Sequence, residues 1–580
     1  MPLLPTKNRN RAKPKPLHLT LSILLYLFFA IFLIWPIIQI VAVGFRNKSG
    51  GLTLSYVYLI FKDRVLLQGL LNALLVAALT SLVALLISLP LAILSTRYNF
   101  RGINFLSGLL LVPLVLPPFV GALGMRLVLG RFGPLTHLIP FHGPLGIDWL
   151  GRLRLVGIVL VEALHFYPLL LLNLQASLAN LDPAMEQAAA NIGASRFTIF
   201  RKIIIPLIRP GLFAGLTLVL ISSFTELGTP LMFSYYTITP VQVFHQITDV
   251  ADNPLPYALV VVMLITSSLL YVIGKLILGR SYEASTTKAS IASAPKNLTG
   301  FKAFLVALPF LFIIALALLP HISVLLTSLS GTGAWYKSIL PQSFTLNHFK
   351  DALVDELAYG SIRRSIQYAA LATAIAMVVG LAAAILIVRS DVPGRNLIDA
   401  LSMLPLAVPG LVLAFGYLAI SISFKHTLGE HTPPWLDVQK YPVFLLVIAY
   451  AARRLPYVVR SAVAGLQQTP KDLELAAANL GASRFTVLRR ITIPLIFANL
   501  IAGGLLAFAF AMLEVSDSLI LAQRTDYYPI TKAILDISQR LGDGMYVAAA
   551  LGVWAMALLT LTILSANAFL GKKMGAIFRI

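Results

Sequence analysis

The sequence predicts an all-α polytopic membrane protein of about twelve transmembrane helices, built as two tandem six-helix parallel repeats with both termini cytoplasmic. Three observations carry this. Of the 580 residues, 58% are hydrophobic and only 12% are charged, where a soluble domain carries about 25% charged residues. Twelve apolar runs approach the length, about 20 residues, that crosses a hydrocarbon core. One 22-residue segment occurs twice.

The runs lie near 18–44, 68–96, 103–128, 155–178, 207–232, 256–279, 303–329, 365–388, 397–424, 441–466, 496–523 and 546–570. The first follows a basic tail, residues 1–17, containing Lys7, Arg9, Arg11, Lys13 and Lys15. It imitates a secretory leader, but its length and the eleven later runs predict a retained span. Runs one to six make a first transmembrane domain, 18–279, and runs seven to twelve a second, 303–571. Between them, 280–302 is rich in Ser, Ala, Thr and Lys and reads as a cytoplasmic linker; 572–580 is a short tail.

The net charge of +22 follows this threading. With the N-terminus inside, the inner segments carry about four basic residues for each acidic one and the outer loops are near balance. No inner segment is long enough for a folded basic domain, so nucleic acid is not an expected partner. The absence of cysteine removes disulfides, thiolate metal sites and cysteine nucleophiles.

Residues 186–207 (EQAAANIGASRFTIFRKIIIPL) and 474–495 (ELAAANLGASRFTVLRRITIPL) agree at sixteen of twenty-two positions, at an offset of 288. Pro168 and Pro456, and Glu226 and Glu514, match at the same offset. At an offset of 292, Arg97, Gly102, Asn104, Pro113 and Pro117 match Arg389, Gly394, Asn396, Pro405 and Pro409. Six is even, so the halves enter from one side and the repeat is parallel.

Each duplicated segment falls on an inner loop, near 182–209 and 469–495. Asp182-Pro183 and Thr469-Pro470 offer caps for a short helix through the alanines, which Gly193 or Gly481 would end in a left-handed turn. Ser195 and Ser483 would cap a second helix, interrupted at Pro206 and Pro494. Ala188, Ala189, Ala476 and Ala477 leave a flat side that a partner can approach, Glu186 and Glu474 add a charge, and Arg196 and Arg484 add basic charge beyond the turn. A single copy would fit a helix lying on anionic lipid equally well; two near-identical copies favour a docking element.

These segments resemble the EAA loop of permease subunits of binding-protein-dependent ABC importers, and the whole chain beyond the tail resembles two such permeases fused, as in ferric-iron and thiamine permeases. The resemblance implies that each loop forms a coupling helix received by a cytoplasmic ATPase, one of two copies, and that a substrate-binding protein delivers the solute at the outer face of a bacterial inner membrane. Ferric iron is the cargo it points to first; thiamine, a polyamine or an inorganic anion stay open. Gly-x-x-x-x-Gly-Lys-Ser/Thr is absent: Gly274-Lys275 and Gly571-Lys572 lack its spacing and hydroxyl. The chain is therefore expected to be no enzyme and to hold no cofactor, with ATP and magnesium bound by the partner subunits.

Ionisable residues within spans are costly and mark function. Glu226, Glu514 and Asp517 are candidates for a pathway or gate. Arg453 and Arg454 would neutralise the acids or meet an anionic solute, and Pro117 and Pro409 would free carbonyls at membrane depth. The same acids would serve a rival, an ion-coupled secondary transporter, which leaves the duplicated loop unexplained. His426, Glu430, His431 and Asp437 on an outer loop are metal-ligating types, but no metal site and no catalytic residue are expected.

Overall fold

The computed structural model describes residues 16–47, 51–130, 133–134, 154–179, 181–247, 250, 253–278, 295–335 and 338–570. The basic residues of the N-terminal tail, most of the 280–302 linker and the 572–580 tail lie outside them. Ten described helices are long and apolar enough to cross a membrane, and one bent pair raises the number to eleven. The remaining expected span is a 26-residue helix, Val443–Gln468, about 39 Å long at 1.5 Å per residue. Arg453, Arg454 and Arg460 give it more charge than an apolar span carries.

The first half comprises α1 (His18–Gly44), α2 (Arg64–Arg97), the bent pair α3 (Ile103–Leu114) and α4 (Pro118–Val128), α5 (Arg154–Ala179), the inner helix α6 (Pro183–Asn191), α7 (Arg209–Phe224), α8 (Gly228–Met232) and α9 (Leu255–Leu278). The second comprises α10 (Gly300–Leu329), α11 (Glu356–Arg389), α12 (Arg395–Ala407), α13 (Gly410–Leu428), α14 (Val443–Gln468), α15 (Lys471–Asn479), α16 (Ile493–Met512), α17 (Ser516–Leu521), α18 (Ile530–Ser538) and α19 (Gly544–Leu570).

The repeat is visible in each core. α2, α5 and α7 pack on one another, as do α11, α14 and α16. α2 and α11 both run 34 residues from an aspartate cap: Asp63 accepts from the Val65 and Leu66 amides, Asp355 from Ala358. Lipid gives no hydrophobic drive between helices, so close approach of small residues must hold them. Ala372, Ala376, Gly380 and Ala384 form such a stripe on α11, and all are buried. A Cβ on Gly380 would come within 2.8 Å of the Val458 side chain on α14.

Each half lends a helix to the other. α1 lies on α11 and α12 and continues onto α13, while α10 lies on α4 and also meets α2 and α5. Tyr26 on α1 donates to the Gly394 carbonyl at 2.9 Å, and Tyr417 on α13 donates to that of Phe32. The end of the linker is pinned to the first half, where Lys296–Asn297 pairs in parallel with Tyr98–Asn99.

The third predicted span is not one rod. α3 and α4 meet at 89°, because Pro117 and Pro118 in sequence force the chain through an extended conformation at Leu116 and Pro117. In the second half the same break falls at Val408-Pro409, between α12 and α13.

Candidate functional site

The two inner loops fold alike. Asp182 caps α6 by accepting from the Ala184 amide at 2.9 Å. The second loop differs from expectation: Thr469 does not cap α15, because its hydroxyl turns back to the Gly465 carbonyl at 2.9 Å, and the helix begins after Pro470. Both helices end in the same way. Gly193 (φ +84°) and Gly481 (φ +86°) are left-handed. Ala194 and Ala482 donate to Ala189 and Ala477, and the glycine amides donate to Ala190 and Ala478. These are the paired bonds of a Schellman turn.

Beyond the turn, Ser195 and Ser483 cap a new helix by accepting from Thr198 and Thr486, each at 3.2 Å. Pro206 and Pro494 do not break it as predicted. A wide π-helical turn, Phe200–Ile204 or Leu488–Thr492, precedes each proline and makes room for its ring. In the second half the helix continues unbroken into α16; in the first it breaks at Ile208, before Pro210, whose repeat position is Ala498.

The glutamates are turned inward. Glu186 takes Arg97 at 2.7 Å, and Glu474 takes Arg389 at 3.2 Å and the Thr492 hydroxyl at 3.1 Å. Arg389 also donates to the Thr469 carbonyl at 2.8 Å. Each inner helix, α6 or α15, is thus tied to the inner end of α2 or α11. The charge expected to face a partner is spent within the chain. Ala188 and Ala476 are exposed, Ala189 is buried, and Arg196 and Arg484 are free in solvent.

Large apolar residues are also left outward. Ile192 and Leu480 are 86% and 89% exposed, and Phe197 and Phe485 are 70% and 71% exposed. Sequence reasoning passed over them, although Phe197 and Phe485 are identical within the repeat. Exposed side chains of this size, at matched places on two loops, form an interaction surface.

A second constellation lies within the membrane. Glu514, in the break between α16 and α17, receives Arg453 at 3.0 Å and is also paired with Arg454, both from α14. Asp517 lies 3.8 Å from Arg453 and is buried. Glu226 sits in the equivalent break between α7 and α8, where it accepts from the Gly228 and Thr229 amides at 3.1 and 3.4 Å. It caps α8 and gains no arginine of its own half, because His165 and Phe166 replace the arginine pair. Glu162, not singled out from the sequence, is fully buried on α5 and accepts from Ser223. Its repeat position is Tyr450, so matching the halves could not reveal it; an acid inside an apolar run was the available signal.

The proline breaks are closed by side chains. His165 donates from Nδ1 to the Pro113 carbonyl, and Tyr167 donates to that of Leu110, both at 2.7 Å. At Pro409 the following residue is Gly410, and a methyl there would overlap the Arg453 guanidinium. On the outer loop, Asp437 turns in to Lys425 at 3.6 Å, and among the described residues no three metal-ligating side chains converge.

Two copies of a helical core, each ending on the inner side in a helix-turn-helix with an apolar rim, define a duplicated membrane permease. Residues 84–283 and 376–574 both match the family of binding-protein-dependent transport system inner membrane components, and the chain belongs to that family. It is thus a multi-pass inner-membrane subunit of an ABC importer with the permease domain present twice, and such subunits work with an ATPase and a substrate-binding protein. It is 28% identical over 549 residues to the ferric transport system permease protein FbpB of Actinobacillus pleuropneumoniae, covering 91% of this chain and 74% of that one. It is 27% identical to a putative ferric transport system permease of Haemophilus influenzae, over 86% of this chain and 76% of that one. It is also 32% identical to a probable molybdenum ABC transporter permease of Haloferax volcanii, over 36% of this chain and 76% of that one.

Proposed function

We propose that the chain is the permease of a ferric-iron importer, driven by two ATPase copies that receive the coupling helices at Pro183–Asn191 and Lys471–Asn479. The observation that carries the coupling is the matched pair of exposed apolar rims, Ile192 with Phe197 and Leu480 with Phe485, each on a helix held by an arginine–glutamate tether. A push on either helix would pass through Glu186 to α2 or through Glu474 to α11. Gly193 and Gly481 set the turn that presents the rims, Ala188 and Ala476 give the flat approach, and Arg196 and Arg484 lie beside them. The chain lacks a nucleotide-binding motif, so hydrolysis falls to the ATPase subunits, which hold the ATP and magnesium. The chain itself uses no cofactor.

Iron is supported by similarity along nearly the whole chain to ferric permeases. The molybdenum relative matches about one third of the chain, which favours an oxyanion less. Arg453 and Arg454 also point away from an anion, since both are committed to Glu514. Glu226, Glu514 and Asp517 then act at the gate, holding the helix breaks beside Pro117 and Pro409 in place.

The test is ATP-dependent uptake of radioactive ferric iron by proteoliposomes carrying the chain, its ATPase and its binding protein. Phe197→Ala with Phe485→Ala should abolish uptake and ATPase co-purification while the melting temperature of the chain holds. Uptake of molybdate but not iron would overturn the cargo; full uptake by the double variant would overturn the coupling.

A further inference from the structure

A groove of about 1020 Å³ opens on the outer side of the second half, between the first turns of α11, Leu353 and Val354 before it, Tyr441 ahead of α14, and Asp526 with Tyr527. It shares no residue with the coupling loops or with the Arg453–Glu514 cluster.

Its depth is set by α11. At 34 residues this helix is about 51 Å long, roughly 20 Å more than a hydrocarbon core. Arg363 lies seven residues from its start, about 10 Å down, among the lipid headgroups. Ala370 and Leu371 follow about 10 Å deeper, where acyl chains begin.

The first half supplies an internal comparison. At the offset of 292 that aligns α2 with α11, Tyr359, Arg363 and Gln367 correspond to Leu67, Leu71 and Leu75. Leu71 and Leu75 are plain lipid-facing leucines, 55% and 47% exposed. The second half has exchanged a hydrocarbon stripe for a tyrosine, an arginine and a glutamine on the outward side of a span. At this level near the helix end an arginine reaches polar lipid groups that a leucine cannot engage.

The lining says which ligand. Arg364 is held as wall, donating from Nε to the Tyr528 carbonyl at 2.9 Å. Arg363 is exposed and, among the described residues, makes no hydrogen bond or ion pair. It is a free guanidinium suited to a phosphate. Opposite charge stands at the same rim: Glu356, and Asp526, which Arg524 holds at 2.8 Å. Tyr359, Tyr441 and Tyr527 add aromatic faces, with Tyr441 and Tyr527 edge to face at 5.4 Å. A phosphate beside a primary ammonium would satisfy both signs, because its N–H groups can donate to the Glu356 and Asp526 carboxylates, as a quaternary ammonium cannot.

We propose that this groove binds the headgroup of an outer-leaflet aminophospholipid, its phosphate on Arg363, its ammonium toward Glu356 and Asp526, and an acyl chain along Ala370 and Leu371. The site is independent of cargo and of the coupling reading. A free phosphoethanolamine would share the polar contacts but not the acyl chain.

The full chain in detergent, titrated with ethanolamine, glycerol and choline phospholipids of identical chains, is read by native mass spectrometry. The ethanolamine lipid should be retained about tenfold over the other two. Arg363→Leu, which restores the residue of the first half, removes the phosphate contact and should lower retention of all three lipids about tenfold. Glu356→Gln should erase the preference for ethanolamine over glycerol. If Arg363→Leu does not fold, Arg363→Gln carries the same expectation. Equal retention of the three lipids, tighter retention of the glycerol lipid, or unchanged retention in the Arg363 variant overturns the proposal. Displacement by free phosphoethanolamine at the lipid's own concentration would make the site one for a soluble solute and overturn the lipid assignment.

Discussion

Arg389 and Glu474 are joined by a 3.2 Å ion pair that ties the inner end of α11 to the first turn of α15. Both are largely buried, and Thr492 and the Thr469 carbonyl complete the set. The matching pair, Arg97 with Glu186, is shorter but more exposed. The second tether should be the stiffer of the two. Charged hydrogen bonds of this kind are worth about 1.5–3 kcal/mol, an exposed pair about 0.2–1 kcal/mol.

Glu474→Ala should therefore cut transport more than Glu186→Ala. In Glu474→Ala the ATPase subunits should still bind, with hydrolysis no longer linked to uptake. The ratio of ATP hydrolysed to solute moved, measured in proteoliposomes, checks this. Exchanging the pair as Arg389→Glu with Glu474→Arg should recover part of the linkage; recovery no better than either single variant counts against a tether.

Gly193 and Gly481 have open space around the position of a Cβ, so alanine there meets no neighbour. The cost is conformational, about 1–2 kcal/mol for a left-handed alanine. Gly481→Ala should lower coupling while Gly481→Asn, which tolerates the left-handed region better, keeps more of it. ATPase stimulation in the assembled complex separates the two. Equal loss in both would mean that the side chain, not the backbone, is sensed.

At Gly410 the reason is space. Gly410→Ala would push the Arg453 guanidinium away from Glu514, which keeps Arg454, and from Asp517, which has no other ion-pair partner among the described residues; stranding a buried charge costs about 3–5 kcal/mol. Gly410→Ala and Arg453→Met should lower the melting temperature to a similar extent, and the double variant should fall little further. Additive losses would show that Gly410 serves something other than Arg453.

Asp355 caps α11 and takes Arg540 at 2.6 Å. Partial burial works to raise its pKa, but Arg540 and the Ala358 amide outweigh it and hold the carboxyl below its usual value. A depressed acid adds stability above its unfolded pKa of about 3.9 and loses it as pH falls through the lower folded value. The melting temperature of Asp355→Asn should lie below that of the parent at pH 6, and the gap should close toward pH 3. A gap that does not narrow at all between pH 6 and pH 3 would remove the ion pair as its cause.

Span number, threading and duplication were legible because each is written in composition or in a fixed offset. The inner helix-turn-helix was legible for a local reason: Asp182, Gly193 and Ser195 each have one job that residue type announces. Long-range partners were not legible. Nothing in the sequence joins Glu186 to Arg97, 89 residues away, although both had been matched between halves. Pro206 and Pro494 misled because a π-helical turn removes the clash that a proline makes in a regular α-helix. The Thr469 hydroxyl had two partners within reach and took the backward one. Offset matching finds only what the halves share, which hid Glu162 and the polar face of α11.

The exchange of α1 and α10 makes the chain a clasp. α1 packs on α13 of the second half as well as on α9 of its own, and α10 packs on α4 of the first half as well as on α19 of its own. Any turning of one half against the other would therefore have to slide α1 and α10 on one of their two seats. The connections 45–63 and 330–355 that follow them are each buttoned near the root by a single antiparallel bridge, Arg46 with Leu52 and Ser330 with Phe344. They stand on the outer face, at the opposite end of the molecule from the two inner helix-turn-helix loops.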